Sequence, residues 1–482
     1  MKKIISLLLC AVLLIGCVIP AFAADENDYD GPPVVVVRGF DFMGLQYEDG
    51  SPALTFTFGK IFPGVMKLLL NMMIFNKEGM VDTLVETANT LFGPIAADNN
   101  GNSLENIGVI QYPKSMAEYP DFYDTHDYGN EEGVLATAID AVGAENCYYF
   151  TYDWRKSPRE LAAQLNTLIE TAKADTGKDQ VRLVSASMGT VVACAYMYYY
   201  GYDSVYNSIF LSGALNGIYT IGDLFKGDIL FDGDILGSFL ENAVSGSNVI
   251  VKLLVKLVTR TKVLNLACNY VNSLVEEHKD RIFDAGLRNS FGLAMGIWSM
   301  CPEADFDACV EYMFGDCKDE YPLVMDELAE MRNFLFATED IIDGAIERNI
   351  PVAFLSNYNL PMTPVTVRCA AQGDRVIETY GTSFFATAAE FGKTLTDEQL
   401  AGVAEEFISP DRVINASTCR YPDCTWFIKD AAHVASTYQT DYAQFVSWLV
   451  MSDTQKTVYD NALYPRFMLS GADQALTPAI AQ

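Results

Sequence analysis

The stretch RLVSASMGTVVAC, Arg182 to Cys194, decides the fold. RLVS has the apolar character of a buried strand, and TVVAC opens a helical run that continues through Tyr200 to Gly201. Between them lies SASMG, a small-x-Ser-x-Gly pattern. Composition alone produces such a pattern about once per thousand positions, so it occurs by chance in roughly half of chains this long. Its placement carries more weight. In a nucleophile elbow a serine occupies a sharp strand-to-helix turn, and the residues two before and two after it must be small because backbone passes close by. Centred on Ser187, those places hold Ser185 and Gly189; centred on Ser185, they hold Leu183 and Ser187, and Leu183 crowds the turn. Ser187 is therefore the candidate nucleophile and Ser185 the small residue that lets the chain turn.

Outward from the elbow the chain keeps a regular rhythm. CYYFTY (147–152) reads as a strand and DWRKSP as a turn. Ser157 then caps a helix, with Pro158 in its first turn and Glu160 placed to complete a capping box; the helix ends near Gly177. SIFLS (208–212) is the next strand, leading into GALNG, and PPVVVVRGF (32–40) is an earlier, fully buried one. Strands and helices alternating at these lengths predict a parallel βαβ core, an α/β fold. Residues 218–350 break the rhythm with helical patterns only, including the amphipathic run VIVKLLVKLVTRTKVL, and read as a helical cap inserted into the core. Residues 61–75 read as a buried helix, with a lipid-facing surface as the alternative. The strand pattern returns at IPVAFLS (350–356), TWFIKD (425–430) reads as the last strand, and residues 452–482 as a loosely held tail. The expected organisation is a signal peptide at 1–23, a core at 24–217 and 351–451, the cap at 218–350 and the tail at 452–482.

A serine needs a base, and the chain has three histidines. His126 precedes the serine, against the order serine, acid, histidine that goes with this elbow. His278, in EEHKDR, reads as part of a solvated helix face. His433, in WFIKDAAHVAS, follows the last predicted strand, where a base reaches back over the elbow. The acid belongs on a loop between them: Asp374, in AAQGDRVIETYG, has that placement, with Glu378 and Asp411 as alternatives. Two backbone amides must receive the oxyanion: that of Met188, and one from the loop after PPVVVVRG, Phe40 first and Asp41 second. Arg38 stands before the glycine of that loop. Cys194, inside the helix after the elbow, reads as a buried apolar residue rather than a nucleophile.

Composition bounds the rest. A net charge of −31 argues against a nucleic-acid partner, whose phosphates need clustered Lys and Arg. Lys2-Lys3, the apolar run Ile4 to Ile19 and Ala21-Phe22-Ala23 read as a secretory signal with cleavage before Ala24; a lipid anchor at Cys17 is the alternative. After that cleavage nine of the 11 cysteines remain, and bridging is expected within Cys301, Cys309 and Cys317 and between Cys419 and Cys424. No CxxC occurs and no histidine lies near these cysteines, so no metal is expected, nor any other cofactor.

With FTYDWRKSP (150–158) ahead of SASMG, the chain resembles the lecithin–cholesterol acyltransferase family, acyltransferases and phospholipases of the α/β-hydrolase fold. YDWR (152–155) is the most specific element; LSGALNG (211–217), QGDRVIETYG and WFIKDAAHV look like the family's cap entry, acid and histidine segments. The resemblance implies Ser187, Asp374 and His433 as the triad, and a lipid ester as substrate with contact to a lipid surface. The rival expectations are a catalytically silent module that binds lipid or a cell-surface partner on the same fold, and a serine peptidase.

Overall fold

The parallel run forms the centre of an eight-stranded sheet in this computed structural model. The structure describes residues 29–480 except 56–62, 65–66, 68–70, 72–75, 121, 123–132, 244–255, 257–258, 260–262, 434, 436–439 and 472–474. The signal-like segment, Cys17, His126, and most of residues 61–75 and 249–262 lie outside the described residues. Residues 32–482 cluster as one unit, apart from residues 1–31.

The sheet's strands are β1 (Val34–Val37), β2 (Cys147–Phe150), β3 (Val181–Ala186), β4 (Val205–Leu211), β5 (Val352–Tyr358), β6 (Thr425–Lys429), β7 (Phe467–Ser470) and β8 (Leu476–Pro478). Their spatial order is β8-β7-β6-β5-β4-β3-β1-β2. All neighbours are parallel except β7 and β8. β1 lies between β2 and β3, with Val35 opposite both Tyr148 and Leu183. All four of its valines are buried, which explains a continuous β-branched run in place of alternation. Val35, Val37 and Leu183 join the core formed with helices α3 (Pro158–Thr176) and α4 (Met188–Tyr200). Val184 instead faces Val134 and Ala138 of α2 (Gly133–Val142) and Val446 of the helix Thr440–Val450, so both faces are covered.

The cap of α3 is half of the expected box. The Ser157 hydroxyl accepts from Glu160 N, but the Glu160 carboxylate turns to Lys156 at 3.2 Å. Gly177 ends the helix in the left-handed region at φ 69°, open to a residue without Cβ.

Between β4 and β5 the regular elements among the described residues are helices, the kind the sequence pattern predicts: α5 (Tyr219–Phe225), α6 (Gly233–Ala243), α7 (Val263–Gly286), α8 (Met295–Trp298), α9 (Glu303–Phe314), α10 (Pro322–Leu335) and α11 (Thr338–Glu347). Trp298 is fully buried among Phe225, Phe306 and Phe314 and donates to Gly292 O at 2.8 Å. Asp223 of α5, Asp305 of α9, Lys226 and Arg368 form an ion cluster that joins these helices to the segment after β5. His278 differs from expectation: it sits at a kink in α7, and its Nε2 is buried without a hydrogen-bond partner among the described residues. No helix among the described residues is long and apolar enough to cross a membrane.

The described part of residues 452–482 is not a loose tail, and β6 is not the last strand. That part supplies β7 and β8, which extend the sheet beyond β6. The buried Arg182 of β3 is held by the carbonyls of Val450 and Ser452, each at 2.9 Å, and by Asp453 at 2.6 Å.

Candidate active site

The turn between β3 and α4 gives Ser187 the conformation φ 52°, ψ −125°, strained for a residue with a Cβ. Such strain costs on the order of 1–3 kcal/mol and persists only where the surroundings enforce it. Here they do. Ser187 N donates to Leu211 O at 2.9 Å, and its carbonyl accepts from the Thr190 amide, the Thr190 hydroxyl (2.6 Å) and the Ala214 amide. A Cβ on Gly189 would stand 2.3 Å from Arg38 O and 2.7 Å from Val37 O, so the small residue after the serine admits the backbone leaving β1. Ser185 is buried within β3 and its hydroxyl points at Ile209 O, 3.3 Å away. Of the two serines, only Ser187 occupies the strained turn.

His433 follows β6, and its Nδ1 lies 2.8 Å from Asp374 Oδ2. The backbone doubles the link, His433 N donating to Asp374 O at 3.1 Å. Asp374 is fully buried, and its other oxygen accepts from Val376 N (3.0 Å) and Ile377 N (2.8 Å). These bonds leave Oδ2 to the imidazole and fix the ring's other nitrogen as the free one. Ser187 and His433 line one narrow cavity of about 50 Å³ with Gly39, Phe40, Val134, Tyr149 and Leu211.

The alternative acids are engaged elsewhere. Asp411 pairs with Lys429 at 3.0 Å and accepts from Ser409. Glu378 is buried, and both its oxygens face the Tyr219 amide at 3.1–3.2 Å. Burial pushes its carboxyl up to about 8, against the pull of the Tyr219 N–H.

Of the two amides expected to receive an oxyanion, that of Phe40 is at the cavity and that of Met188 follows directly on Ser187; neither has a hydrogen-bond partner among the described residues. Gly39 brings the Phe40 loop against the elbow: a Cβ there would stand 3.1 Å from Ser187 Cβ. Arg38 pairs with Asp41 at 2.8 Å across this loop, and Asp41 also accepts from Met43 N. That gives the arginine a structural place; of the two amides proposed from this loop, Phe40 belongs to the cavity lining and Asp41 does not.

Sequence reasoning missed what supports this loop. Trp154 of YDWR is fully buried and packs its ring on Phe40 (4.8 Å between centroids) and Phe42 (5.7 Å). Asp153 and Arg155 clasp each other on either side of it, and Arg155 also reaches Ser103 Oγ and Ile107 O. The motif was visible in the sequence; its contact with PPVVVVRGF, more than a hundred residues away, was not. Among the described residues no group of acidic, histidine or cysteine side chains is arranged to hold a metal, and the nine described cysteines, Cys419 and Cys424 included, are free thiols.

Residues 141–224, from the end of α2 through the elbow to α5, match the lecithin:cholesterol acyltransferase family model. The chain is thus LCAT-like across this segment, and its sheet is that of an α/β-hydrolase. No curated protein matches it. A solved structure, "The crystal structure of Tle4-Tli4 complex", is similar at 12% identity and a TM-score of 0.32, covering 87% of this chain and 97% of that one.

Proposed function

We propose that this protein is a serine-dependent acyl hydrolase or O-acyltransferase acting on lipid esters. The observation that carries the reading is the Asp374–His433 pair at 2.8 Å beside a strained elbow whose Ser187 shares the histidine's cavity. His433 takes the proton from the Ser187 hydroxyl through the nitrogen that Asp374 leaves free, and the serine oxygen attacks the ester carbonyl. The amides of Met188 and Phe40 receive the charge on the tetrahedral oxygen. Collapse expels the alcohol, which leaves with the proton from His433. The acyl group on Ser187 then passes to water or to an acceptor alcohol, with His433 as base a second time.

The LCAT-like match over residues 141–224 supports a lipid ester as substrate. The N-terminal Lys2-Lys3, apolar run and Ala21-Phe22-Ala23 support export, which would bring the enzyme to lipid outside the cytoplasm. The test offers the protein phospholipids and short esters, with and without an acceptor alcohol, and follows both free acid and transferred acyl product. A fluorophosphonate probe should label Ser187 in the folded protein, and Ser187→Ala should lower ester turnover by at least a thousandfold. Turnover that survives this substitution, with no labelling of Ser187, defeats the proposal.

A further inference from the structure

The sulfurs of Cys301 and Cys309 lie 3.5 Å apart, and both side chains are buried. No other cysteine pair among the described residues is joined by such a contact. The pair sits where the cap is anchored. Cys301 follows α8 and Cys309 lies within α9, and the segment between them is the seat of α5, the first helix after the GALNG turn that ends β4. Ile218 N donates to Met300 O at 2.8 Å, Gly217 lies so close to Pro302 that a Cβ would stand 2.3 Å from its nitrogen, and the Cys309 thiol donates to Gly222 O at 3.3 Å. Asp305, between the two cysteines, carries the ion pairs to Lys226 and Arg368.

A disulfide needs its sulfurs about 2.05 Å apart. At 3.5 Å the two sulfurs are already in contact, and forming the bond shortens their separation by about 1.5 Å. Cys317, the third cysteine of this stretch, makes no such contact and stays half-buried. We propose that Cys301 and Cys309 are a modification site, joined by a disulfide that forms while the chain folds and is then sealed beneath α5. The reaction is thiol–disulfide exchange with a small-molecule disulfide such as oxidised glutathione. One cysteine thiolate attacks the glutathione disulfide and releases one glutathione thiolate. The second attacks the protein sulfur of the mixed disulfide and releases the other. Two protons pass to the leaving thiolates, the protein loses two electrons and the glutathione disulfide gains them. The attacking species is the thiolate. In the folded protein the neighbouring Cys309 and burial hold the Cys301 thiol far above its ordinary range, so exchange belongs to the time before the pair is covered.

The test uses the full chain made by cell-free synthesis. One preparation is made in a glutathione redox buffer. A second is made in dithiothreitol, desalted once folded, and only then given oxidised glutathione. Both are quenched in acid, unfolded, alkylated and mapped by mass spectrometry without reduction. The expected result is a peptide linked 301–309, two hydrogens lighter than the sum of its parts, in the first preparation. In the second, Cys301 and Cys309 should both be alkylated. A Cys301→Ser chain made in redox buffer should leave Cys309 as a thiol rather than linked to another cysteine. Two free thiols in the first preparation, or either cysteine paired elsewhere, overturns the assignment; a linked peptide in the second overturns the sealing. Neither outcome depends on ester turnover.

Discussion

Glu378 stands four residues from Asp374 on the same loop and is as deeply buried, yet only Asp374 meets the imidazole. In the sequence the two, with Asp411, are indistinguishable as loop acids; what separates them is the direction each carboxyl takes once the loop folds. Glu378 points to the first helix of the cap, where its oxygens accept from Tyr219 N. Burial there raises its carboxyl from the ordinary 4.5 to about 8, and the charge of Asp374 adds to the rise. The folded protein therefore keeps a proton that the unfolded chain releases above about pH 4.5. Folding stability contributed by this group is complete below that pH and is lost progressively as pH rises toward about 8, beyond which the loss levels off. Glu378→Gln, neutral at every pH, lacks this slope. Thermal unfolding of wild type and Glu378→Gln across pH 4.5–9 should show Tm falling more steeply in the wild type through that window. Parallel curves would mean that the carboxyl titrates where an exposed glutamate does.

At the scale of elements, the strand–turn–helix around Ser187 was legible because all its constraints are local: an apolar run, small residues at two fixed places and a helix beyond. The loop that brings Phe40 to the elbow depends instead on a distant turn. Trp154 supports Phe40 at a tilt and stacks on Phe42, and Gly296 packs directly on the Trp154 carbonyl, where a Cβ would stand 1.9 Å away. In this reading Trp154 positions the Phe40 amide without touching substrate. Misplacing an oxyanion donor costs about 10²-fold in rate, so Trp154→Leu should lower kcat for a soluble ester by about one to two orders of magnitude with little change in KM. Trp154→Phe, which keeps a ring against Phe40, should recover most of that loss. A general loss of structure would instead lower the amount of active protein, measured as the fraction of Ser187 that a fluorophosphonate labels at completion, without slowing the labelled fraction. Slower labelling to an undiminished endpoint is the signature of positioning.

At the scale of the molecule, the C-terminal thirty residues gave only a weak periodic signal, for physical reasons. β7 is only four residues long, and β8 is a three-residue edge strand that includes Pro478, tolerated there because no ladder bond is lost on the outer side. Neither offers a local pattern, yet both complete the sheet. Phe427 N donates to Arg466 O at 2.8 Å, Phe427 and Phe467 pack at 5.6 Å, and the guanidinium of the buried Arg466 reaches Tyr459 Oη at 2.7 Å and the Pro422 carbonyl. Ending the chain after Tyr464 removes Arg466, Phe467 and Met468 from the core and leaves β6, which carries the chain to His433, as a bare edge. Losing two buried apolar side chains costs about 3–6 kcal/mol, and an unpaired edge next to Phe427 invites association with other chains. The truncated protein should unfold several degrees below the full chain and aggregate on heating. Its activity should fall as well, because His433 follows directly from β6. A truncation with unchanged Tm and full ester turnover would return residues 465–482 to the status of a tail.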